Sequence, residues 1–330
     1  MFARDQYLLL DFGNGRRLEQ WNGFILDRLC PAVTHILQTA STIWKTADAR
    51  FIPDSNLPGK KGNSERGNWI PLTEKGHFFL ESTDFEVLTL RCDLDSSQQA
   101  QQTSFFLELK GSPFGHLGVF PEQMPNWEYI YRYCRTAQKQ LGRRVKILNL
   151  FAYTGASSLA AAMSGADVVH LDAARNIVIQ AQKNANLTEQ QSSTSLSIRF
   201  IADDVLKFVR RELKRQNEYD GIILDPPSYG HGTRGEVWRI SRDLPKLLND
   251  CISLLSDPIP FLLLTSHTPG FHKQKLSDML QDSIRQRYSS KESQRFLLTS
   301  NDMFIRSQYK KNLPSGQKVL LSTVDHRLEE

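Results

Sequence analysis

From about residue 145 to the C-terminus, short apolar runs alternate with segments whose apolar residues have helical spacing. Strands alternating with helices at this interval are typical of a parallel sheet that helices cover on both faces. Strands buried on both faces are continuously apolar, as these runs are. The predicted strands are 145–151, 168–172, 196–204, 219–225, 259–265, 294–300 and 316–324. No helical pattern separates the last two runs, so they predict an antiparallel hairpin at the edge of the sheet.

The first 110 or so residues have a different pattern, in which strand-like runs are bounded by turn residues. Gly-Asn-Gly at 13–15 separates two such runs and predicts a hairpin. The stretch 31–45 is helix-like, and 53–71 is rich in Pro, Gly and Asn and is predicted to be a loop. The chain therefore predicts a small β-rich domain over 1–110 and a Rossmann-like α/β domain over 111–330.

Composition places the chain among ordinary soluble globular proteins, with 40% hydrophobic and 23% charged residues among 330. No apolar stretch approaches the roughly 20 residues that a membrane-spanning helix needs. The N-terminus turns charged after three leucines, unlike a signal peptide. The four scattered cysteines form no CxxC pair and predict reduced thiols in a cytoplasmic protein without a metal site. They are Cys30, Cys92, Cys134 and Cys251.

The formal net charge of +5 is mild, but Lys and Arg are clustered locally. The clusters lie at 58–67, 141–146, 210–215 and 309–312. Clustered cations can neutralise the phosphates of a nucleic acid and supply affinity that does not depend on sequence. Solvated helix and loop surface explains the same clusters equally well. The charge is therefore compatible with an RNA substrate and does not require one.

The turn after the first strand of the α/β region, Asn-Leu-Phe-Ala-Tyr-Thr-Gly, contains one glycine, Gly155. A GxGxxG turn uses three glycines because a pyrophosphate approaches the backbone closely. The bulky Phe151 and Tyr153 would crowd a pyrophosphate, so a ligand without phosphates fits better. Gly155 would let the backbone pass close to a small charged group, and the helix N-terminus favours a carboxylate. A tight strand–helix turn with no ligand is the alternative.

Acidic residues follow the second and third strands of this region. Asp172 stands where such folds place an acceptor for ribose hydroxyls, and it is also placed to cap the following helix. Asp204 is predicted to accept from an adenine amino group, with the backbone N–H of Val205 as a donor. Asp203 competes with Asp204 for that role, and either of them suits the N-cap of the next helix.

Asp225-Pro226-Pro227 follows the strand 219–225. Proline fixes φ and removes a backbone donor, and it holds the preceding residue extended. The three residues therefore predict a rigid bank of acceptors for a donor such as an exocyclic amine. Together with a phosphate-free glycine turn and a ribose-binding acid, they predict S-adenosylmethionine as the cofactor. The rival is an NAD-dependent oxidoreductase, which the single glycine and Asp-Pro-Pro disfavour.

These motifs resemble those of class I S-adenosylmethionine-dependent methyltransferases, in particular the group that includes bacterial 23S rRNA large-subunit methyltransferases. The matching segments are 146–176 for the cofactor motif and ribose acid, 202–208 for the adenine motif and 219–230 for the catalytic motif. Segment 115–123 resembles the family's lead-in, which closes over the active site. The resemblance implies a seven-stranded sheet with an antiparallel last strand and an RNA substrate, rRNA being favoured. It implies cofactor contacts by Phe120, Gln123, Asn149, Phe151, Thr154, Gly155, Asp172, Ala173, Asp204, Val205 and Asp225.

The sequence departs from the 5-methylcytosine branch of this family, which has a cysteine nucleophile after the fifth strand. The matching place here reads Thr265-Ser266-His267. Carbon methylation of a pyrimidine needs a thiolate to activate the ring, so the sequence predicts methylation of a nitrogen. Asp225, Pro226 and Pro227 are then the catalytic residues. Tyr229 is predicted to stack on a flipped base or to pack against the sheet edge, and His267 to take a proton or to be a plain polar loop residue.

Two other readings stay open. One is methylation of a protein or a small molecule, and the other is a cofactor-binding scaffold without catalysis.

Overall fold

The computed structural model describes residues 2–54, 66–82, 88–94, 103–232 and 235–323. Its strands up to the first parallel one are β1 Tyr7–Gly13, β2 Arg16–Trp21, β3 Phe24–Leu29, β4 Ala49–Pro53, β5 Gly67–Pro71, β6 Thr89–Asp93, β7 Ser104–Glu108 and β8 Lys146–Leu150. The later strands are β9 Asp167–Asp172, β10 Ser197–Ala202, β11 Gly221–Leu224, β12 Tyr229–His231, β13 Val237–Arg239, β14 Phe261–Ser266, β15 Phe296–Arg306 and β16 Asn312–Thr323. The α-helices are α1 Glu74–Glu81, α2 Met124–Leu141, α3 Ala156–Met163, α4 Arg175–Ser192, α5 Val205–Lys214, α6 Ile240–Leu254, α7 Lys273–Arg287 and α8 Ser290–Ser293. In the part of the chain that the structure describes, no helix is both long and apolar enough to cross a membrane.

The chain divides into two compact units. The first unit is Met1–Met124 with Phe304–Pro314, and the second is Pro125–Met303 with Ser315–Glu330. The far end of the hairpin β15–β16 thus belongs to the first unit, although both strands begin or end in the second. The domain boundary near residue 110 stays a prediction.

The first unit is built on a five-stranded sheet in the order β1-β2-β3-β4-β5, with β6 and β7 as a separate antiparallel pair. β1 and β2 pair antiparallel around Asn14 and Gly15, whose φ values are 52° and 75°. Positive φ at both central residues is what a tight hairpin turn requires. The predicted hairpin and the predicted β-rich character of this region are confirmed.

The helix expected over 31–45 is wrong. Only two short 3-10 turns form there, Pro31–Val33 and Ile43–Thr46. The Asp11 carboxylate explains the difference, because it accepts from the backbone N–H groups of Thr39 and Ala40. These N–H groups are therefore bonded to a buried side chain and not to carbonyls one turn back. The loop prediction for 53–71 is also wrong at both ends, where Pro53 of β4 and the whole of β5 belong to paired strands, and residues 55–65 lie outside the described residues.

The second unit contains the predicted α/β sheet, with seven strands in the order β10-β9-β8-β11-β14-β16-β15. The first five of these are parallel to their neighbours. β16 pairs with β14 antiparallel, and β15 forms the edge. The seven-stranded, mostly parallel architecture and its antiparallel last strand are confirmed. Every residue of β11 and β14 is buried, which explains why these strands read as unbroken apolar runs.

Helix α2 was missed by the sequence reading, which took 110–127 as a junction. Its buried residues recur with helical spacing, and this pattern is the signal that identifies it. The buried residues of α2 are Met124, Asn126, Trp127, Ile130, Tyr131, Tyr133, Cys134 and Ala137.

Candidate active site at the carboxyl edge of the parallel sheet

The two strand ends that the sequence singled out are neighbours. β8 and β11 pair in parallel with Leu150 opposite Leu224, so the loops after these residues start side by side. On the other side of β8, Leu150 pairs with Leu171 of β9. The carboxyl edge of an open α/β sheet is where such folds bind ligands. The loop 151–155, hereafter the cofactor loop, and the loop 225–228, hereafter the acceptor loop, therefore share one place.

The cofactor loop has an unusual backbone. Phe151 and Tyr153 have φ values of 56° and 50°, and Gly155 has a φ of 97°. A residue with a side chain in this left-handed region costs about 1 kcal/mol or more. Backbone bonds hold it there: Ala152 donates to the Leu171 carbonyl at 3.0 Å, and Tyr153 to Asp172 Oδ2 at 3.0 Å. Such strain occurs preferentially at functional sites.

A glycine is needed at position 155 because the backbone there is left-handed and helix α4 packs closely against it. A Cβ added at Gly155 would lie 3.2 Å from the Ala181 Cβ and 3.6 Å from His170 Cε1. Asn184 of the same helix donates its side-chain N–H to the Thr154 carbonyl at 2.9 Å. The glycine therefore lets α4 pack against the turn. This packing role exists in addition to any close approach of a ligand.

Asn149 lies beneath the cofactor loop in a buried polar network. Its Nδ2 donates to Ser158 Oγ at 2.9 Å, and Ser158 Oγ lies 3.0 Å from His170 Nδ1. Burial lowers the pKa of His170 to about 3, so the imidazole is neutral at neutral pH. This network fixes the start of α3 against β8 and β9. The structure gives Asn149 this supporting contact, and its contact with a cofactor stays a prediction.

Asp172 ends β9 with a carboxylate that accepts several backbone N–H groups. Tyr153 donates at 3.0 Å and Ala174 at 2.9 Å, and Ala173 also donates. Burial raises the pKa of Asp172, and these three backbone bonds oppose the rise. The carboxylate thus ties the cofactor loop to the end of β9. Each carboxylate oxygen has two lone pairs, which leaves acceptor capacity for a ribose hydroxyl.

Asp204 is the N-cap of α5, because its carboxylate accepts from the Lys207 N–H at 2.9 Å. The Asp203 carboxylate accepts from the Asp204 N–H at 2.8 Å and forms an ion pair with Arg211. Val205 is the first residue of the helix, where helix geometry leaves the N–H without an intrahelical partner. Of the two acids, Asp204 is better placed to accept from a ligand, since an arginine already occupies Asp203.

The acceptor loop brings two predicted residues together. Asp225 Oδ1 lies 3.4 Å from His267 Nε2, although the two residues come from the ends of different strands, β11 and β14. Each side chain is about one third exposed, with 33% for Asp225 and 38% for His267. Pro226 is buried, and the Pro227 carbonyl already accepts from Trp238 Nε1 at 2.7 Å. Of the predicted acceptors, the partly exposed Asp225 carboxylate is therefore the one that best suits a substrate, and the role of the Pro226 carbonyl stays a prediction.

Gly316 lets β16 pass beside His267. Its φ is 128°, and an added Cβ would lie 2.8 Å from His267 Nδ1. A larger residue at position 316 would displace the imidazole from Asp225. The antiparallel hairpin of the sheet thus helps to set the position of His267 beside Asp225.

Tyr229 starts the small hairpin β12–β13, and its side chain is 51% exposed. Its ring meets the His231 ring edge-on with 5.1 Å between centroids. About half of the tyrosine is therefore accessible, and both alternatives for it, stacking on a base and packing against the sheet edge, stay predictions.

Trp238 is a site residue that sequence reasoning missed. Its strand, Val237–Arg239, is too short to show a period, and the preceding residues are polar or glycine. A lone tryptophan in such a polar stretch is the signal that singles it out. Trp238 is buried and packs against Phe151 with ring centroids 4.8 Å apart.

Phe120 and Gln123 belong to the first unit. Phe120 precedes the 3-10 turn Pro121–Gln123, and its carbonyl accepts from the Gln123 N–H at 3.1 Å. The Phe120 ring lies 5.5 Å from the His116 ring, and Gln123 is buried. Their contact with a cofactor stays a prediction.

Several cations of the basic clusters are bound within the protein. Arg143 donates to both carboxylate oxygens of Asp220 at 2.8 Å, and Arg215 pairs with Glu212 at 3.0 Å. Together with the ion pair of Arg211, these contacts give the clusters 141–146 and 210–215 a structural role. Of the other two clusters, 58–67 lies mostly outside the described residues.

The sheet order, the antiparallel last strand and the acids at successive strand ends define the class I S-adenosylmethionine-dependent methyltransferases. The model of the S-adenosylmethionine-dependent methyltransferase family matches residues 129–262. This match confirms, over residues 129–262, the recognition made from the sequence.

A solved structure supports this over nearly the whole chain. The S-adenosylmethionine-dependent methyltransferase from Agrobacterium tumefaciens is 27% identical, with a TM-score of 0.78, and the match covers 98% of this chain and 91% of that one. Among curated proteins, the ribosomal RNA large subunit methyltransferase K/L of Hahella chejuensis is 29% identical over 55% of this chain. The protein of the same name from Shewanella sp. (strain MR-4) is 36% identical over 36% of this chain.

The chain spans only a small part of these curated relatives, with matches that cover 24% and 16% of their lengths.

The residues at the carboxyl edge fit S-adenosylmethionine by the chemistry of their donors and acceptors. The N-terminus of α3 provides backbone N–H groups for a carboxylate. The Asp172 carboxylate suits a ribose diol, and the start of α5 offers both an acceptor and a donor for an adenine edge. A single glycine and two bulky left-handed residues make a poor cradle for a pyrophosphate.

Proposed function

We propose that this protein is an S-adenosylmethionine-dependent methyltransferase that methylates a nitrogen of an RNA base, with ribosomal RNA as the favoured substrate. The observation that carries the proposal is the acceptor loop. Its Asp225 carboxylate lies 3.4 Å from His267 Nε2, and the loop starts next to the cofactor loop.

The cofactor would be held along the carboxyl edge of β8, β9 and β10. The turn of Thr154 and Gly155 at the start of α3 would receive its methionine carboxylate, and Asp172 its ribose. Asp204 and the Val205 N–H would receive its adenine. When bound, S-adenosylmethionine supplies an electrophilic methyl group on its sulfonium.

The acceptor loop suits a nitrogen nucleophile. An amine needs orientation more than activation, and positioning alone can contribute on the order of 7–11 kcal/mol. The Asp225 carboxylate and the Pro226 carbonyl would accept from the target N–H and stabilise the positive charge that develops on the nitrogen. His267 is close enough to Asp225 to take the released proton.

A covalent carbon-methylation mechanism needs a cysteine after β14, and the sequence has none at that position. That place holds Thr265, Ser266 and His267. Cys92, Cys134 and Cys251 are buried, and burial raises the pKa of each thiol. A thiol of raised pKa in an apolar environment is a poor nucleophile.

Two observations support RNA over other acceptors. The curated relatives are named for ribosomal RNA, and the exposed Tyr229 offers a face on which a base extruded from its stack would pack. The basic clusters add less than their sequence suggests, because several of their arginines have internal partners.

The test is incubation of the protein and labelled S-adenosylmethionine with ribosomal RNA, ribosomes and a protein fraction from cells whose own copy of the gene is deleted. We expect label in RNA, mapped to a base nitrogen, with substrate binding that weakens steeply as salt increases. Label in protein or small molecules would move the substrate to that class. Tight cofactor binding without label in any fraction would indicate a scaffold.

A further inference from the structure

The hairpin β12–β13 connects the acceptor loop to α6. Tyr229–His231 and Val237–Arg239 pair antiparallel, with Gly230 opposite Trp238. Isolated two-stranded hairpins are marginally stable in water, so this one depends on contacts with the rest of the unit. Trp238 provides two of these contacts.

The first contact is a hydrogen bond from Trp238 Nε1 to the Pro227 carbonyl at 2.7 Å. The next carbonyl of the loop, that of Ser228, accepts from the Ile240 N–H at 3.1 Å. Two successive peptide planes after Pro226 are therefore fixed by the hairpin and the start of α6. Because both prolines also restrict φ, the orientation of the acceptor loop depends strongly on these two bonds.

The second contact is between rings. The Trp238 and Phe151 rings lie 4.8 Å apart at 58°, within the range of favourable tilted aromatic pairs. Phe151 is the first left-handed residue of the cofactor loop. The ring contact therefore holds a residue whose backbone conformation is unfavourable by itself.

We propose that Trp238 is a positioning residue that holds the cofactor loop and the acceptor loop in a fixed relation, through its ring and its N–H respectively. The inference rests on the proposed function and adds a residue that sets the geometry between methyl donor and acceptor. A small misplacement of reacting groups lowers a rate strongly, which is why one such link matters.

The far end of the hairpin is anchored at the predicted adenine end of the site. Glu236 forms an ion pair with Lys207 of α5. A Cβ added at Gly232 would lie 2.6 Å from Glu236 Oε2 and 3.1 Å from Asp204 Oδ2. The hairpin thus runs from the acceptor loop past Phe151 to the start of α5, and Trp238 lies on this path.

A double-mutant cycle with the cofactor alone tests the ring contact. Trp238→Ala and Phe151→Ala should each weaken S-adenosylmethionine binding in calorimetry by roughly 3- to 10-fold. The double variant should be about as weak as the weaker single variant, because both remove the same contact. Additive losses would overturn the coupling.

Trp238→Phe tests the N–H bond, because it keeps a ring and removes the donor. We expect cofactor affinity within about twofold of the wild type and a kcat lower by roughly 3- to 10-fold with KM unchanged, measured on ribosomal RNA. An unchanged kcat would overturn the role of the N–H. A merely structural role would lower the melting temperature and leave kcat per folded molecule intact.

Trp44→Phe is the matched control. Trp44 is also buried and donates its indole N–H, to Asp11 Oδ2 at 3.0 Å, and it packs with Leu10 and Leu18. It should change neither cofactor affinity nor kcat. If the wild-type protein labels no RNA, the proposed substrate fails, and the calorimetric cycle still decides the role of Trp238.

Discussion

Both units of this protein place carboxylates on their central sheets, but they pair them differently. In the first unit, Arg28 binds Glu19 at 2.7 Å, while Arg16 and Arg50 bind Asp27 at 2.5 and 2.7 Å. At the carboxyl edge of the second sheet, Asp172 and Asp204 accept from backbone N–H groups. An arginine uses up most of the acceptor capacity of a carboxylate, whereas backbone donors fix its position and leave lone pairs for a ligand.

The pKa shifts follow the same division. Burial by itself would raise the pKa of Glu19, but the neighbouring Arg17 and Arg28 hold it below its usual range. Burial raises the pKa of Asp172, where three backbone N–H groups oppose the rise without reversing it. A buried acid stabilised by cations is a structural element of a fold. Asp172, a half-buried acid bonded to backbone amides, can still accept a hydrogen bond from a ligand.

The largest effect that we expect is a loss of unfolding free energy without a loss of cofactor binding, on substitution of Glu19. Glu19→Ala leaves Arg28 buried without its counter-charge, a change that costs roughly 3–5 kcal/mol. Urea unfolding at neutral pH should show this loss, and cofactor affinity of the remaining folded protein should be unchanged. A loss below about 1 kcal/mol would mean that the first unit does not depend on this ion pair.

Substitution of Asp225 by alanine should instead lower activity and leave stability nearly unchanged. Asp225→Ala should lower kcat by roughly 10²- to 10³-fold, because in the proposed mechanism the carboxylate stabilises charge that develops mainly in the transition state. Most of the cofactor affinity and the unfolding free energy should be retained. Turnover near the wild-type rate would remove Asp225 from the mechanism.

Asp172→Ala should weaken S-adenosylmethionine binding by roughly 10- to 100-fold, since hydrogen bonds to a charged group and the shape of the cofactor loop are lost together. Asp167 is a matched control at the other end of the same strand, where it pairs with Arg144 at 3.2 Å. Asp167→Ala should leave calorimetric affinity unchanged. Equal losses for both variants would show that the effect comes from β9 as a whole.

His170 lies beneath the carboxyl edge of the second unit's sheet and is neutral, and this predicts that the free energy of unfolding depends on pH. Burial holds the pKa of His170 at about 3, below the unfolded value of about 6.5. As pH falls, the unfolded chain binds a proton first, so the stabilisation is complete above pH 6.5 and is lost toward the folded pKa. His170 should therefore contribute a loss of about 1.4 kcal/mol in unfolding free energy between pH 7.5 and pH 5.5.

His170→Gln should remove that contribution while its amide still bonds Ser158. Urea unfolding across this pH range is the measurement, and an unchanged slope would contradict a neutral His170. Burial, together with the charges of Arg28 and Arg17, lowers the pKa of His116 in the first unit to about 4. His116 should therefore still contribute to the pH dependence of the unfolding free energy in the His170→Gln variant.

The comparison of the two units also explains what could be predicted from the sequence. The parallel strands were predictable because burial on both faces makes them continuously apolar, as in Phe261–Ser266. The acids at their ends were predictable because each follows an apolar run directly. The first unit was predictable only as β-rich, since its core contains charged residues such as Arg28 and Glu19, which hide the alternation of a strand.

Contacts between residues distant in sequence were not predictable. Nothing local indicates that Asp11 would bind the amides of 39 and 40 and prevent a helix there. The contact of Asp225 with His267 depends on the pairing of β11 with β14, and that of Trp238 with Phe151 on a hairpin of three-residue strands. Strands of three residues are too short to show a hydrophobic period in the sequence. Which side chains meet depends on the tertiary structure.

The smallest expected effect concerns the thiols, and it is a test of the nitrogen chemistry. Burial raises the pKa of all four cysteines, that of Cys134 to about 12, so none is a thiolate at neutral pH. Replacing Cys30, Cys92, Cys134 and Cys251 by alanine should therefore leave kcat unchanged in variants that stay folded. Alanine avoids the buried, unpaired hydroxyl that serine would introduce. Loss of turnover, or a trapped protein–RNA adduct that one cysteine substitution abolishes, would instead establish carbon methylation through a covalent intermediate.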